Sequence, residues 1–486
     1  MKEQTLVPEE LFHYFAEVCK VPRPSKHEGR MVEFLKRFAA DHGLPCKVDD
    51  AGNVLISKPA TPGREGLRMV ILQSHMDMVC EKNADTVHDF TTDPIETYVD
   101  GEWLKARGTT LGADNGIGVA TELAILASDS VEHGPLECLF TVDEETGLTG
   151  AFALQPGFMS GEMLINLDSE DEGELFIGCA GGINTTVDFA YTTEPVPAGY
   201  AAMRVAVRGL TGGHSGDDIN KNRANANKLL NRFLCATAAK MDMRLCSIDG
   251  GNLHNAIPRE AEAVIAVPDA EKETVRVDLN VFAAAVEDEY SVTEPGVKFF
   301  LESVETPAVA VCRDVAGRMM KAVHGVYCGV FAMSQDIPGF VETSTNLASI
   351  KMNTEGNVRI VTSQRSSITS ARDNVRDSVA AVFELAGAKV SSNDGYPGWK
   401  PNPSSRILAI AVESYKRLFG VEPKVKAIHA GLECGLFLEK YPSLDMVSFG
   451  PTLRGVHSPD ERMHIPSVDK YWRHLLDVLA HIPGRE

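Results

Sequence analysis

The sequence predicts an α/β protein: a split α/β domain with a mainly parallel central sheet, plus an inserted α+β domain. Three observations predict it. Over the first 180 or so residues, apolar runs of strand length alternate with helical patterns. From 183 to about 397 the texture changes to long strands and long helices, and beyond a turn-rich stretch at 393–403 the short alternation resumes. Strands alternating with helices build a parallel sheet covered on both faces, with its site at the carboxyl ends of the strands. The simplest division makes 1–182 and 398–486 one domain and 183–397 an insert. At roughly 100 to 200 residues per domain, 486 residues suit two or three domains.

The elements follow in order. Residues 27–42 put Met31, Leu35 and Phe38 on one face, after a Ser25-x-x-Glu28 capping box and before Gly43, which predicts a surface helix. Apolar runs at 68–73, 136–142 and 162–167 predict strands, with a helix at 115–128 among them. In the insert, strands are expected at 184–191, 201–209, 260–267, 297–304, 340–350 and 356–364. Helices are expected there at 224–240, 271–288, 309–325 and 370–386, as two βαβ-containing halves. The last part reads as helix 404–419 stopped by Gly420, strand 424–428, helix 432–440, strand 444–449 and helix 467–480.

Composition narrows the function. Lys and Arg number 47 against 68 Asp and Glu, a net charge of −21, which argues against nucleic acid or an anionic membrane as partner because both need a basic face. The N-terminal MKEQTLVPEE lacks the apolar core of a secretory signal, and no run approaches a membrane span of ~18 apolar residues, so a cytoplasmic protein is expected. Ten cysteines with no C-x-x-C pair fit reduced thiols.

Each early strand runs directly into His, Asp or Glu. Strand 68–73 ends in Gln-Ser-His75-Met-Asp77, whose i, i+2 spacing lets both side chains share a face, one to ligate a metal and one to orient its partner. Leu111-Gly-Ala-Asp114-Asn115-Gly-Ile-Gly118 opens the next helix, exposing Asp114 at a sharp turn; an Asx cap is the bland alternative. Strand 136–142 ends in Asp143-Glu144-Glu145. Three consecutive carboxylates repel one another unless cations or solvent relieve them, and diverging neighbours could divide into metal ligand and general base. Strand 162–167 ends in Asp168, a further strand-end ligand; the acidic run after it, with Cys179 rather than Glu at the twelfth position, is no calcium loop and reads as a solvated turn. Far downstream, Gly455-Val-His457-Ser-Pro-Asp-Glu461 precedes the last helix, with His464 competing for the same role. Two His and three carboxylates suffice for two zinc-like ions sharing a bridging carboxylate.

This order of motifs resembles the co-catalytic zinc peptidases that include carboxypeptidase G, aminoacylase and the carnosine-cleaving dipeptidases. Details such as GADNGIG, DEETGLTG, GGHSG and SQRSS are similar to its aminoacyl-histidine dipeptidase branch. The resemblance implies that His75 and Asp168 hold one ion, Glu145 and His457 the other, and Asp114 bridges, with a cis peptide after Asp114. It implies Asp77 as the group orienting His75 and Glu144 as general base. In an inserted lid domain it implies His214 as oxyanion stabiliser, and Asn255, Arg365 and Gly431 as substrate-binding groups. The implied cofactor is a pair of divalent ions, zinc first, with cobalt or manganese as alternatives. The implied activity is hydrolysis of small dipeptides, preferentially Xaa-His including β-Ala-His, by a cytoplasmic homodimer. N-acyl amino-acid deacylation or tripeptide cleavage is the alternative within the family, and an inactive peptide-binding protein the alternative outside it.

Overall fold

The computed structural model describes residues 6–485, which fall into two compact units. The first comprises Met1–Cys179, Trp399–Ala427 and Leu432–Glu486; the second comprises Ala180–Gly398 and the short excursion Ile428–Gly431.

The first unit is built on an eight-stranded sheet. Its centre is parallel: Val70–His75 lies between Leu136–Thr141 and Met163–Asn166, and Asp445–Ser448 follows on the far side. All six residues of Val70–His75 and of Leu136–Thr141 are buried, as expected of strands covered on both faces. The flanks depart from the parallel pattern. Val54–Lys58 and Cys46–Val48 continue one edge antiparallel, and Glu174–Cys179 meets Asp445–Ser448 antiparallel on the other side. A four-stranded sheet adds the hairpin Leu453–Arg454 and Arg462–His464 to Trp103–Ala106 and Thr97–Asp100, and His457 lies in that hairpin's loop. The helix Ala113–Ala127 is buried on almost every side, which explains its run of Ala, Gly, Ile and Leu without a polar stripe.

Helix Gly29–Asp41 buries Met31, Leu35 and Phe38, but no capping box forms at its start. Ser25 Oγ donates instead to Asp77 Oδ2 at 2.8 Å, and Glu28 Oε1 accepts the N–H groups of Lys26 and Asp143, both at 2.9 Å. Tertiary partners have outcompeted the local cap.

The second unit has a nine-stranded sheet in which every pairing is antiparallel. Its β–α–β segments are split. Tyr200–Arg208 and Arg244–Gly250, joined by helix Ala226–Lys240, flank Ala261–Pro268, and Asn357–Ser366 and Lys389–Ser392, joined by helix Thr369–Leu385, flank Gly181–Ala190. Strands Arg244–Gly250, Gly329–Met333 and Lys389–Ser392 are additional to those read from the sequence. Leu229, Leu230, Phe233 and Leu234 belong to the same buried core as Val205, Ile265 and Ile360. Among the described residues no helix is long and apolar enough to cross a membrane.

Candidate metal centre

The first unit gathers its strand-end residues at one edge of the sheet. His75 closes its strand and is 1% exposed. Its Nδ1 lies 3.2 Å from Asp77 Oδ1, and its Nε2 lies 3.1 Å from Asp114 Oδ1 and 3.4 Å from Asp168 Oδ1. Asp77 is held in turn by Ser25 and by the N–H groups of Glu144 and Glu145, at 3.0 and 3.3 Å. One buried carboxylate thus sets both the His75 ring and the start of the Glu144–Gly147 turn.

Asp114 lies between the two imidazoles. Its Oδ1 faces His75, while Oδ2 meets His457 Nε2 at 3.1 Å. The Asp114–Asn115 peptide is cis. His457 Nε2 is also 3.0 Å from Glu145 Oε2. Two half-sites therefore share Asp114, one containing His75 and Asp168 and the other His457 and Glu145. Donor atoms of His75, Asp114 and Glu145 lie within 4.8 Å of one another. His464 is elsewhere, its ring tilted against Trp103 at 5.0 Å between ring centres, with Nε2 3.8 Å from Glu102.

The electrostatics describe a site short of positive charge. Burial raises the Glu144 carboxyl pKa well above the ordinary range; His75 opposes this and the neighbouring Asp168, Glu145 and Glu433 add to it. Burial likewise lifts Asp168 to about 6, with His75 opposing and Asp114 and Glu145 reinforcing. His457 is pushed up to about 11 by its hydrogen bonds to Asp114 and Glu145. For His75, burial alone would favour the neutral ring, but Asp168, Asp114 and Asp77 carry its pKa well above 6.5. Carboxylates crowded this closely cannot all ionise without added cations. Glu145 Oε1 is moreover buried without a hydrogen-bond partner. Nitrogen and oxygen donors in two groups around a shared carboxylate, with an orphaned carboxylate oxygen, fit a pair of divalent metal ions.

Several contributors carry no sequence signal. Arg23 is 1% exposed; its Nη1 donates to the carbonyls of Asp77 and Met76 at 2.8 and 3.2 Å, and its Nη2 to that of Gly112 at 2.6 Å, so it ties the segments that carry Asp77 and Asp114 together. Glu433 is buried with Oε2 accepting from Gln73 Nε2 at 2.6 Å and Thr141 Oγ1 at 2.7 Å. Glu170 corrects the reading of a solvated acidic turn. Burial, then the neighbouring Asp114 and Asp168, push its pKa up to about 8.

The second unit holds its own cluster. His214 Nδ1 accepts the N–H groups of Gly216 and Asp217 at 3.3 and 3.2 Å, which leaves the proton on Nε2. That Nε2 is 3.5 Å from Arg365 Nη2, so two donors stand side by side and converge on a position for an acceptor. Arg365 Nη1 donates to Tyr396 Oη at 3.3 Å, and its buried Nε has no partner. Gly431 packs on the same Tyr396 ring, where a Cβ would come within 3.0 Å. Asn255 is exposed; its carbonyl accepts the Ser215 N–H at 2.8 Å. His429, in the Ile428–Gly431 excursion, is buried with Nε2 2.7 Å from Ser344 Oγ.

Peptidase family M20/M25/M40 matches residues 71–481, and the chain belongs to this family. It is 46% identical over 480 residues to the cytosol non-specific dipeptidase of Escherichia coli, covering 99% of both chains. The aminoacylhistidine dipeptidase of Vibrio alginolyticus superposes with a TM-score of 0.91 at 45% identity, covering 99% of this chain and 98% of that one. A tripeptidase of Staphylococcus aureus shares the fold at a TM-score of 0.57 and 16% identity, over 99% of each chain.

Proposed function

We propose that this protein is a cytoplasmic dipeptidase that hydrolyses Xaa-His peptides, including β-Ala-His, with two divalent ions, most suitably zinc, or cobalt or manganese in its place. One observation carries the reading: His75 and His457, each beside its own carboxylate, meet opposite oxygens of Asp114, both at 3.1 Å. The relative at 46% identity is a dipeptidase, which supports a dipeptide substrate, and the one at 45% identity is an aminoacylhistidine dipeptidase, which supports histidine on the leaving side.

In this reading His75 and Asp168 would hold one ion and His457 and Glu145 the other, with Asp114 available to both. Bound there, the ions would polarise the scissile carbonyl and ease deprotonation of water at neutral pH. Asp77 fixes the His75 tautomer. Glu144, whose carboxylate has a raised proton affinity from its surroundings, takes the proton of the attacking water and returns it to the leaving amine nitrogen. Glu170, whose surroundings include Asp114 and Asp168, would suit the substrate's ammonium group.

The second unit is the lid in this proposal. The paired donors of His214 and Arg365 suit anionic oxygens: His214 the oxyanion that develops at the carbonyl, Arg365 the peptide's terminal carboxylate, bidentately. Asn255 and the Gly431 backbone hold the peptide's polar groups. We also propose a homodimer, which a solution mass near 52.7 kDa would contradict. The test of function is a substrate panel. Turnover of Ala-His and β-Ala-His well above that of N-acetyl amino acids and tripeptides is expected, and the reverse order would make the chain a deacylase or aminotripeptidase instead.

A further inference from the structure

Glu461 ends the turn that follows His457, and its side chain points back onto the loop that carries Asp114. Its Oε2 accepts the N–H groups of Leu111 and Gly112 at 2.7 and 2.9 Å, and its Oε1 those of Ala113 and Asp114 at 2.8 and 3.3 Å. The residue is 2% exposed. Four consecutive amides converging on one buried carboxylate form a set of charge-assisted bonds, stronger than the same number to a neutral acceptor. From the other side Arg23 Nη2 holds the Gly112 carbonyl at 2.6 Å, and Gly112 itself sits at φ +67°, where a side chain would be strained. The backbone that aims Asp114 is thus fixed by a residue four positions from His457, and His457 meets Asp114 at 3.1 Å. The neighbouring side chains around His75 and Asp168 are set from different elements, the strands Val70–His75 and Met163–Asn166.

We propose that Glu461 is a positioning residue that couples the His457 loop to the bridging carboxylate, so that the half-site of His457, Glu145 and Asp114 Oδ2 depends on it more than the half-site of His75 and Asp168. This rests on the reading that the two half-sites hold two ions. A residue that only stabilised the loop would lower melting temperature without selecting between half-sites.

The experiment is a zinc titration of metal-free protein against a chromophoric chelator, with the melting temperature of the metal-free form measured in parallel. Two tight equivalents in the parent protein report on the two-ion reading itself; fewer than two would count against that reading rather than against Glu461. Glu461→Gln keeps the volume but presents an NH2 to two of the four amide donors. One equivalent is expected to bind within threefold of the parent and the other about 10- to 100-fold more weakly. Excess zinc should restore kcat with KM unchanged. Glu461→Asp keeps the charge and serves if the Gln variant fails to fold, with an intermediate loss at one equivalent only. Two equivalents bound as in the parent, or both weakened alike, would overturn the proposal.

Discussion

Asp77→Asn separates the charge of Asp77 from its shape, and its cost can be worked from the four donors around it. Oδ1 accepts from His75 Nδ1 and the Glu144 N–H, and Oδ2 from Ser25 Oγ and the Glu145 N–H. An amide offers one acceptor oxygen and one NH2, so one pair of donors must lose its acceptor. Turning the amide oxygen toward His75 is the cheaper choice, because the Ser25 hydroxyl can rotate and accept from the NH2 whereas a backbone N–H cannot. The Glu145 N–H is then stranded, which costs about 1–3 kcal/mol and falls on the stability of the folded protein. The His75 bond changes from a charged to a neutral acceptor, losing about half its strength. That part falls on the ligating ring, and metal affinity should drop about 10- to 100-fold. The assay combines zinc affinity, the urea midpoint of the metal-free protein and kcat at saturating zinc. Zinc affinity and kcat both within twofold of the parent would refute the argument that Asp77 orients His75.

Three further outcomes are expected. Glu144→Ala should keep two equivalents of zinc while kcat falls about 10²- to 10⁴-fold, the usual contribution of a general base; near-normal turnover would remove Glu144 from that role. His457→Ala should bind one zinc tightly in place of two, so two full equivalents by elemental analysis would contradict its ligand role. The last concerns acid stability. His474 is buried, bonded through Nε2 to the Ala411 carbonyl at 2.8 Å, and burial outweighs that bond to push its pKa down to about 4. The folded state keeps it neutral while the unfolded chain protonates below about 6.5, so the unfolded state binds more protons and stability falls as pH drops from 6.5 to 4, by about 3 kcal/mol. His474→Gln should flatten the urea midpoint over that window, and an unchanged slope would remove His474 as its source.

The strand-end residues were readable because the candidate site lies where short apolar runs stop. His75, Glu144, Glu145 and Asp168 each follow such a run, and period-2 geometry relates His75 to Asp77 without tertiary information. Other features resisted reading because distant chain segments decide them. Ser25 and Glu28 spell a capping box, yet both are drawn to carboxylate and amide partners more than 50 residues away. Arg23 and Glu461 act on backbone carbonyls and amides, which leave no side-chain pattern to find. Glu170 sits in an acidic run whose composition suggests solvent, and only the fold buries it against Asp114 and Asp168. His457 and His464 are equivalent by sequence position, and the Trp103 ring and Glu102 carboxylate separate them. The antiparallel flanks of the first sheet were hidden too, since an edge strand such as Val54–Lys58 has the composition of a parallel one.

If two half-sites around Asp114 hold two divalent ions and cleave dipeptides, hydrolysis of Ala-His by chelator-stripped protein will follow the stepwise addition of zinc. Activity should be absent without metal and should rise to its maximum only as the second equivalent binds. Full activity in the stripped protein, or a maximum reached at one equivalent, would contradict the two-ion reading.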